Sequence, residues 1–197
     1  MCEDCQHCNP KDHHAHQHHH HAGKSSESLL DKQIILEALD IQPGLVILDA
    51  GCGNGYMSKE FSRLVGAEGK VYALDPHAES IKTLREETEG TNIEALEADI
   101  TTTTRLEESS FDLIYLSTVI HGFSQDQMDG FRKEIQRLLK PNGRLAVVEI
   151  NKGETSFGPP QAIRYSPEEL RSSIPLTPVS TVEIGPHFYL QIFVNAE

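Results

Sequence analysis

The sequence predicts an α/β fold: a mostly parallel sheet covered by helices on both faces, with one strand reversed near its C-terminal edge. Short apolar runs of strand length alternate with segments whose apolar residues recur at helical spacing, which favours parallel strands joined through helices. At the end of the chain, only Gly185-Pro186-His187 separates two β-rich runs. A connection of that length permits only an antiparallel pair.

The elements follow in order along the chain. Ser28 and Asp31 form a capping pattern at the start of the first helix, and Pro141-Asn142-Gly143 is a turn that ends the fourth. Helices are predicted over residues 28–39, 56–65, 78–89, 127–140 and 167–172. Strands are predicted over residues 45–50, 70–75, 93–98, 111–117, 144–150, 179–184 and 188–194.

Composition divides the chain into a tail and one domain. Residues 1–23 hold eight of the 11 histidines and three of the four cysteines, with almost no aliphatic residues. Such a segment cannot bury an apolar face, so we expect a disordered tail that binds metal. Residues 24–197 are long enough for a single domain with a well-buried core.

Charge and hydropathy exclude several classes of partner. The formal net charge is -13, with 17 basic residues against 30 acidic ones, which argues against nucleic acid and against an anionic membrane surface. No apolar run approaches the ~20 residues needed to span a bilayer, and the start of the chain is polar. No disulfide framework crosses the core, which fits a reducing compartment. We therefore expect a cytoplasmic protein, whose oligomeric state the sequence leaves open.

The first core strand runs into a glycine-rich loop, residues 49–55 (DAGCGNG), that opens a helix. Glycines let a backbone turn tightly and approach a ligand closely, and ligands of open α/β sheets bind at this end of the strands. A dinucleotide loop reads G-x-G-x-x-G, but Tyr56 stands at its third glycine position, and Asp49 would face a pyrophosphate. S-adenosylmethionine (SAM) carries a sulfonium cation and no phosphate. The loop therefore favours SAM over NAD.

Two further acidic residues close predicted strands. Asp75, before Pro76, can accept hydrogen bonds from both hydroxyls of a ribose, with capping of the next helix as the alternative. Asp99, before Ile100, can accept from an adenine amino group, or it can cap a turn through Thr101. Both positions support a nucleoside cofactor.

Val46 to Gly55 resembles motif I of the class I SAM-dependent methyltransferases, in the branch that includes the ubiquinone/menaquinone-biosynthesis enzymes. Four later segments match the family's order: Asp75, Asp99-Ile100, 111–115 and 139–145. The resemblance spans roughly residues 28–197 and implies a Rossmann-like, doubly wound sheet of seven strands with the seventh reversed. It also implies a cofactor site made by Asp49, Gly51, Cys52, Gly53, Asp75, Pro76, Asp99, Ile100 and Ser117.

The segment from Ser117 to His121 follows the fourth strand, where class I enzymes present groups toward the methyl donor. His121 is the candidate general base, with a local structural hydrogen bond as the alternative. The segment lacks the (N/D)-P-P-(Y/F) pattern of amino-methylating DNA and glutamine methyltransferases, which together with the acidic charge argues against nucleobase substrates. A small-molecule acceptor is therefore expected. Asn151 to Ser166 is expected to form a lid over it together with the first helix.

The tail offers thiolates and imidazoles at ligand spacing, which suit Zn, Ni or Cu. The candidate ligands are Cys2, Cys5, Cys8, His13, His14, His16, His18, His19, His20 and His21. A purification tag, a metal store and a metal-linked methylation remain open for this segment. Arsenite methylation is disfavoured because Cys52 is the one cysteine of the core. The other competing classes are a SAM- or metal-binding regulator without turnover and a NAD-dependent dehydrogenase.

Overall fold

The computed structural model describes residues 29–196, so the predicted tail and its metal ligands lie outside the described residues. The helices are α1 Lys32–Leu39, α2 Tyr56–Val65, α3 Ala78–Glu87, α4 Gln125–Leu138 and α5 Pro167–Ser173. The strands are β1 Val46–Ala50, β2 Lys70–Asp75, β3 Ile93–Glu97, β4 Phe111–Ser117, β5 Leu139–Ile150, β6 Thr177–Glu183 and β7 Phe188–Val194. Short 3₁₀ turns lie at Ile120–Gly122 and Gln161–Ile163.

The seven strands form one sheet in the order β3-β2-β1-β4-β5-β7-β6. Strands β1 to β5 are parallel, and β7 runs antiparallel to both of its neighbours. This confirms the predicted fold class, including the reversed C-terminal strand. Strands β2 and β3 are added on one side of β1, and the chain then crosses over to add β4 on the other side of β1. The switch point, where open α/β sheets bind ligands, therefore lies between β1 and β4.

The core has two layers, one on each face of the sheet. Neighbouring residues of β1 illustrate the division, because side chains alternate along a strand. Ile47 packs with Phe61 of α2, whereas Leu48 packs with Phe131 of α4 on the opposite face. Burial on both faces explains why the central strands read as continuous apolar runs. No helix within residues 29–196 is long and apolar enough to cross a membrane.

The start of the first helix differs from the prediction. Helix α1 begins at Lys32, not at Ser28, because Asp31 is its N-cap. The Asp31 carboxylate accepts hydrogen bonds from the amides of Gln33 and Ile34, at 3.0 and 3.3 Å. These bonds satisfy amides that lack partners within the helix, so the chain enters the helix at this carboxylate.

The turn at Pro141-Asn142-Gly143 also differs from the prediction. Helix α4 ends at Leu138 and β5 begins at once, so the turn residues lie inside the strand, not before it. Pairing with β4 shifts register at this point, and Asn142 has a φ of 62°. The Asn195 backbone accepts from the Asn142 amide at 2.9 Å and donates to the Gly143 carbonyl at 2.8 Å. Contacts with the chain end therefore hold the irregular stretch within the sheet.

Candidate functional site

The glycine loop lies at the switch point and is held to the end of β2. The amides of Gly51 and Cys52 donate to the carbonyl of Leu74 at 2.7 and 3.1 Å. Gly51 has a φ of 76°, and a Cβ there would lie 2.6 Å from a methyl carbon of Val119. Gly53 also has a positive φ, 53°, but a Cβ there would meet nothing within 4 Å. Gly51 is therefore required by packing, whereas Gly53 leaves open space for a ligand.

Asp75 stands at the tip of β2 beside this loop. Its Oδ2 accepts from the Gly53 amide at 2.9 Å, and its Oδ1 accepts from the His77 amide at 2.8 Å. The N-cap of α3 is His77, so Asp75 is not the helix cap. Pro76 follows it in exposed position. Each carboxylate oxygen has a second lone pair, which leaves this group able to accept hydrogen bonds from a ribose.

Asp99 and Ile100 follow β3. The Oδ1 of Asp99 accepts from the amide and the hydroxyl of Thr101, at 2.8 and 2.7 Å, so the carboxylate does form the local turn that was the alternative to adenine binding. The side chain of Ile100 is buried in the core layer that also holds Leu74. These bonds fix Asp99 at the border of the site and leave its Oδ2 as the oxygen for a ligand.

Asp49 is a buried carboxylate with no counter-ion among the described residues. It is 3% exposed, and the Ser58 hydroxyl donates to its Oδ2 at 2.5 Å. Within residues 29–196, none of the ion pairs involves it. Burial, aided by the negative charge of Asp75, raises the pKa of Asp49 to about 7. A cationic ligand at this place would stabilise its ionised form.

Tyr115 is paired in register with Asp49 on the neighbouring strand. Its hydroxyl is buried and, among the described residues, has no hydrogen-bond partner. Burial raises the pKa of this hydroxyl, so it stays protonated and able to donate. The carboxylate of Asp49, which lacks a counter-ion among the described residues, is the group that a cationic ligand would complete. These groups fit SAM, which carries a sulfonium and an amino-acid end.

Cys52, in the same loop, is poorly placed for chemistry. It is 9% exposed, and burial together with the carboxylates of Asp49 and Asp75 raises the pKa of its thiol. The thiol therefore stays protonated at neutral pH, and thiolate is the reactive form.

The chain turns sharply after β4 and brings a histidine beside the loop. Ser117 ends the strand, and Thr118 has a φ of 56°, which is rare for a β-branched residue. Val119 then lies against Gly51, and the 3₁₀ turn carries His121. Backbone strain of this kind clusters at functional sites. The turn places His121 two residues from the contact with the glycine loop.

His121 forms a hydrogen-bonded pair with Glu149 of β5. The imidazole Nδ1 lies 2.9 Å from Oε2 of Glu149, and the His121 amide donates to Oε1 at 3.3 Å. The Glu149 side chain is fully buried and that of His121 is 13% exposed. The local hydrogen bond that was the alternative role for His121 therefore exists, and it leaves Nε2 for the adjoining cleft.

A cleft of about 630 Å³ opens beside His121. The 3₁₀ turn after β4 forms one side, and α5 with the segment before it forms the other. Residues that line it include His121, Phe123, Lys152, Ile163, Tyr165, Glu168 and Glu169. Its volume suits a small molecule, since ligand pockets commonly measure ~300–1,000 Å³.

One buried guanidinium holds the segment from Asn151 to Ser166, which was predicted to form a lid. Arg164 is 5% exposed, and its Nε, Nη1 and Nη2 donate five hydrogen bonds of 2.7–3.1 Å. The acceptors are the carbonyls of Asn151, Gly153, Phe157 and Pro159 and the hydroxyl of Thr155. These hydrogen bonds to Arg164, whose side chain points inward, hold the segment in place, and the segment forms one wall of the cleft.

Sequence reasoning missed Glu149, Tyr115 and Arg164. Glu149 carried a readable signal, because a lone carboxylate inside the apolar run 144–150 needs a buried partner. Nothing in the local sequence distinguishes Tyr115 or Arg164 from an ordinary core tyrosine or a surface arginine. Within residues 29–196 no group of three or more His, Cys, Asp or Glu side chains could hold a metal ion. The predicted metal ligands lie outside that range.

Comparison with known proteins places these features in a family. Residues 47–143 match the model of a methyltransferase domain. The ubiquinone/menaquinone biosynthesis C-methyltransferase of Hahella chejuensis is 31% identical over 125 residues, which cover 61% of this chain and 49% of that protein. The chain spans about half the length of the curated relatives of this kind that it matches.

Solved structures extend the similarity over most of the chain. A SAM-dependent methyltransferase from Aquifex aeolicus superposes with a TM-score of 0.79 at 26% identity, covering 88% of this chain and 94% of that one. The N-methyltransferase NodS of Bradyrhizobium japonicum, solved with S-adenosyl-L-homocysteine, gives a TM-score of 0.66 at 18% identity, with 84% and 85% covered. At that identity, the second likeness shows the fold alone.

Proposed function

This chain belongs to the class I SAM-dependent methyltransferases, and we propose that it transfers a methyl group from SAM to a small molecule in the cleft beside His121. One observation carries the proposal. Val119 packs against Gly51 of the glycine loop, so the cofactor loop and the turn that bears His121 are in direct contact. A donor on that loop and an acceptor in the cleft would meet at the end of β4.

Different residues of the site would bind different parts of the cofactor. Asp75 would accept from the ribose hydroxyls, and Asp99 with Ile100 would flank the adenine. Asp49 would face the cationic methionine end, and the space above Gly53 would admit the ligand. When bound, the cofactor supplies an electrophilic methyl group on its sulfonium. The chain's own residues bind it, exclude water and orient the acceptor for in-line displacement.

The competing classes have less support. A NAD-dependent dehydrogenase would place its pyrophosphate beside the buried Asp49, an unfavourable contact for two negative charges. Arsenite methylation needs several thiols near the donor, and Cys52 is the only cysteine of residues 29–196 and is buried. A SAM-binding regulator without turnover does not require the cleft or the His121–Glu149 pair.

Titration calorimetry of the full chain with SAM and, separately, with NADH tests this function. We expect micromolar binding of SAM and no binding of NADH. Asp75→Ala should weaken SAM binding at least tenfold, because a ribose hydrogen bond to a charged group contributes about 1.5–3 kcal/mol. Asp126→Ala, an exposed carboxylate on α4, is the matched control and should bind SAM as the wild type does. Absence of SAM binding in the wild type would refute the proposal.

The N-terminal segment contributes a separate proposal: that its thiolates and imidazoles, from Cys2 to His21, bind Zn, Ni or Cu. Calorimetry of the full chain with SAM before and after removal of metal tests the link. A change in SAM affinity would tie the segment to the site, and equal affinities would show that metal on the segment does not affect cofactor binding. The charge of -13 supports the further proposal that nucleic acids and anionic membrane surfaces are not partners of this protein.

A further inference from the structure

We infer that the acceptor is an uncharged aromatic hydroxyl compound, whose hydroxyl proton is taken by His121 while Glu149 holds that imidazole in place. This inference rests on the proposed methyl transfer and goes further, since it names the acceptor class. Three features of the cleft carry it: the hydrogen-bonded pair at its floor, the aromatic side chains on its walls, and the balance of charge around it.

The pairing of His121 with Glu149 leaves one ring nitrogen of His121 available as a general base. Glu149 accepts from the ring Nδ1 of His121 and from its backbone amide, so one hydrogen bond fixes the ring and the other fixes the turn that carries it. With its proton on Nδ1, the neutral ring presents an unprotonated Nε2. Burying a carboxylate completely within a sheet is costly unless it is paired, which indicates that the pair is built for a purpose beyond packing. Glu149 is a positioning residue, because it acts only through His121.

A general base in the cleft favours an acceptor whose nucleophilic atom must lose a proton during methyl transfer. A phenolic hydroxyl has a pKa of about 10 and is protonated at neutral pH, so its oxygen gains from a base during attack. A lone pair of that oxygen forms the new bond to the methyl carbon as the carbon–sulfur bond breaks, and the electron pair of that bond stays on sulfur. The hydroxyl proton passes to Nε2 of His121, and the resulting imidazolium is stabilised by Glu149. A neutral amine attacks without losing a proton first, and an aryl thiol ionises near neutral pH.

The side chains that line the cleft favour an acceptor with an aromatic ring. Phe123 and Tyr165 line it from opposite sides, and Ala162 and Ile163 add apolar surface. Aromatic side chains bind flat apolar ligands through stacking and edge contacts. His121 lines the same cleft, so a ring between these walls would bring its hydroxyl to the imidazole.

The charges around the cleft disfavour an anion. Glu168 and Glu169 both line it, and hydrogen bonds lower the pKa of each carboxyl, so both are ionised at neutral pH. Lys152 and Arg164 are the lysine and arginine of the lining: Lys152 is paired with Glu169, and the five hydrogen bonds of Arg164 all go to the segment before it. A carboxylate on the acceptor would therefore meet two carboxylates and no lysine or arginine of the lining that still lacks a partner.

A set of three matched probes tests the nucleophile: 4-methylphenol, 4-methylthiophenol and 4-methylaniline. The full chain is incubated with SAM and each probe, and the methylated product is measured by mass spectrometry. We expect O-methylation of the phenol by the wild type, and a 10²- to 10⁴-fold lower rate in His121→Gln, the range that general bases typically supply. The rate with the aryl thiol should change less than about threefold, and SAM affinity by calorimetry controls for folding.

A fourth probe tests the charge of the acceptor. We expect 4-hydroxybenzoate to have at least a tenfold lower kcat/KM than 4-methylphenol. Glu168→Gln should narrow that difference, because it removes one of the carboxylates of the cleft.

Glu149→Gln tests the positioning role. The amide can either accept from Nδ1 or donate to it and carries no charge, so it no longer selects one tautomer, and kcat for the phenol should fall 10- to 100-fold while KM changes less than about threefold. Long-range ¹⁵N–¹H correlation spectra report the tautomer of His121, assigned by comparison with His121→Gln. The wild type should show a proton on Nδ1, and the variant should lose that preference. A purely structural role for Glu149 would leave the tautomer unchanged.

The outcomes separate this inference from the proposed function. If the chain does not bind SAM, the methyltransferase proposal itself fails. If it binds SAM but methylates none of the probes, methylates only the thiol or amine, or methylates the phenol equally well in His121→Gln, the aromatic hydroxyl assignment is wrong. A preference for 4-hydroxybenzoate over 4-methylphenol would overturn the part that concerns charge.

Discussion

At the scale of a single residue, ionisation of Asp49 has opposite effects on the stability of the fold and on ligand binding. Burial raises the pKa of this carboxyl to about 7, and Ser58 donates its one side-chain hydrogen bond. The unfolded chain loses the same proton near the ordinary value of 3.8. The stabilisation from the protonated group is therefore complete below about pH 4 and is lost as the pH rises through about 7. A cationic ligand reverses this loss by stabilising the ionised form.

Asp49→Asn should raise the free energy of unfolding of the ligand-free protein at pH 8 by a few kcal/mol, since each pKa unit corresponds to about 1.4 kcal/mol. The gain should shrink towards pH 5, where the wild type is also protonated. Urea denaturation at both pH values measures it. The same gain at pH 5 and pH 8 would show that ionisation of Asp49 is not the cause.

SAM binding should show the opposite effect of the same group. Wild-type affinity should fall as the pH drops below about 7, because protonated Asp49 offers no charge to the sulfonium. Asp49→Asn should bind at least tenfold more weakly at pH 8 and show little dependence on pH. Calorimetry at pH 6 and pH 8 distinguishes the two proteins, and parallel pH profiles would contradict this role.

The two glycines of the loop should respond differently to alanine. Gly51→Ala places a Cβ 2.6 Å from Val119, so it should destabilise the protein by roughly 1–3 kcal/mol and displace the turn that bears His121. Gly53→Ala has open space and carries only the strain of its positive φ, about 1 kcal/mol. It should nevertheless weaken SAM binding, because the new methyl group lies where the cofactor would approach. Urea denaturation and calorimetry on both variants test this contrast.

At the scale of an element, the wall of the cleft depends on Arg164. Arg164→Lys removes most of the five hydrogen bonds, because an ammonium cannot reproduce the planar fork of a guanidinium. We expect a loss of about 2–5 kcal/mol in stability, and faster hydrogen exchange confined to residues 151–163. Arg63→Lys is the control, since the Arg63 side chain is 70% exposed. Uniformly faster exchange across the sheet would contradict a local role.

At the scale of the whole molecule, the reversed strand and the cofactor site share one sheet. Phe193 of β7 is fully buried, so Phe193→Ala should destabilise the protein by about 3–5 kcal/mol. Val179→Ala, at a residue of β6 that is 61% exposed, should cost under about 0.5 kcal/mol. Circular dichroism and tyrosine fluorescence should report a single transition in both variants. Separate transitions would show that β6 and β7 unfold independently.

Much of the fold and part of the site could be read from local pattern. The strand that ends at Ala50 and the glycine loop after it were predictable, because apolar periodicity and glycine placement are properties of neighbouring residues. The turn at Pro141-Asn142-Gly143 was misplaced, because the contacts of Asn195 that keep it inside β5 come from the far end of the chain. Helix α1 begins later than predicted because Asp31 is its N-cap.

The sequence by itself determined the alternation of strands and helices, the reversed final strand and the positions of Asp49 and Asp75 at strand ends, since each follows from spacing along the chain. Only the tertiary structure decided that Glu149 of one strand would hold His121 after another, 28 residues away. It also decided that Arg164 would turn inward and that the Tyr115 hydroxyl would lack a partner. Those outcomes depend on which residues meet across the sheet, and such contacts form only when the strands pair and both faces are packed.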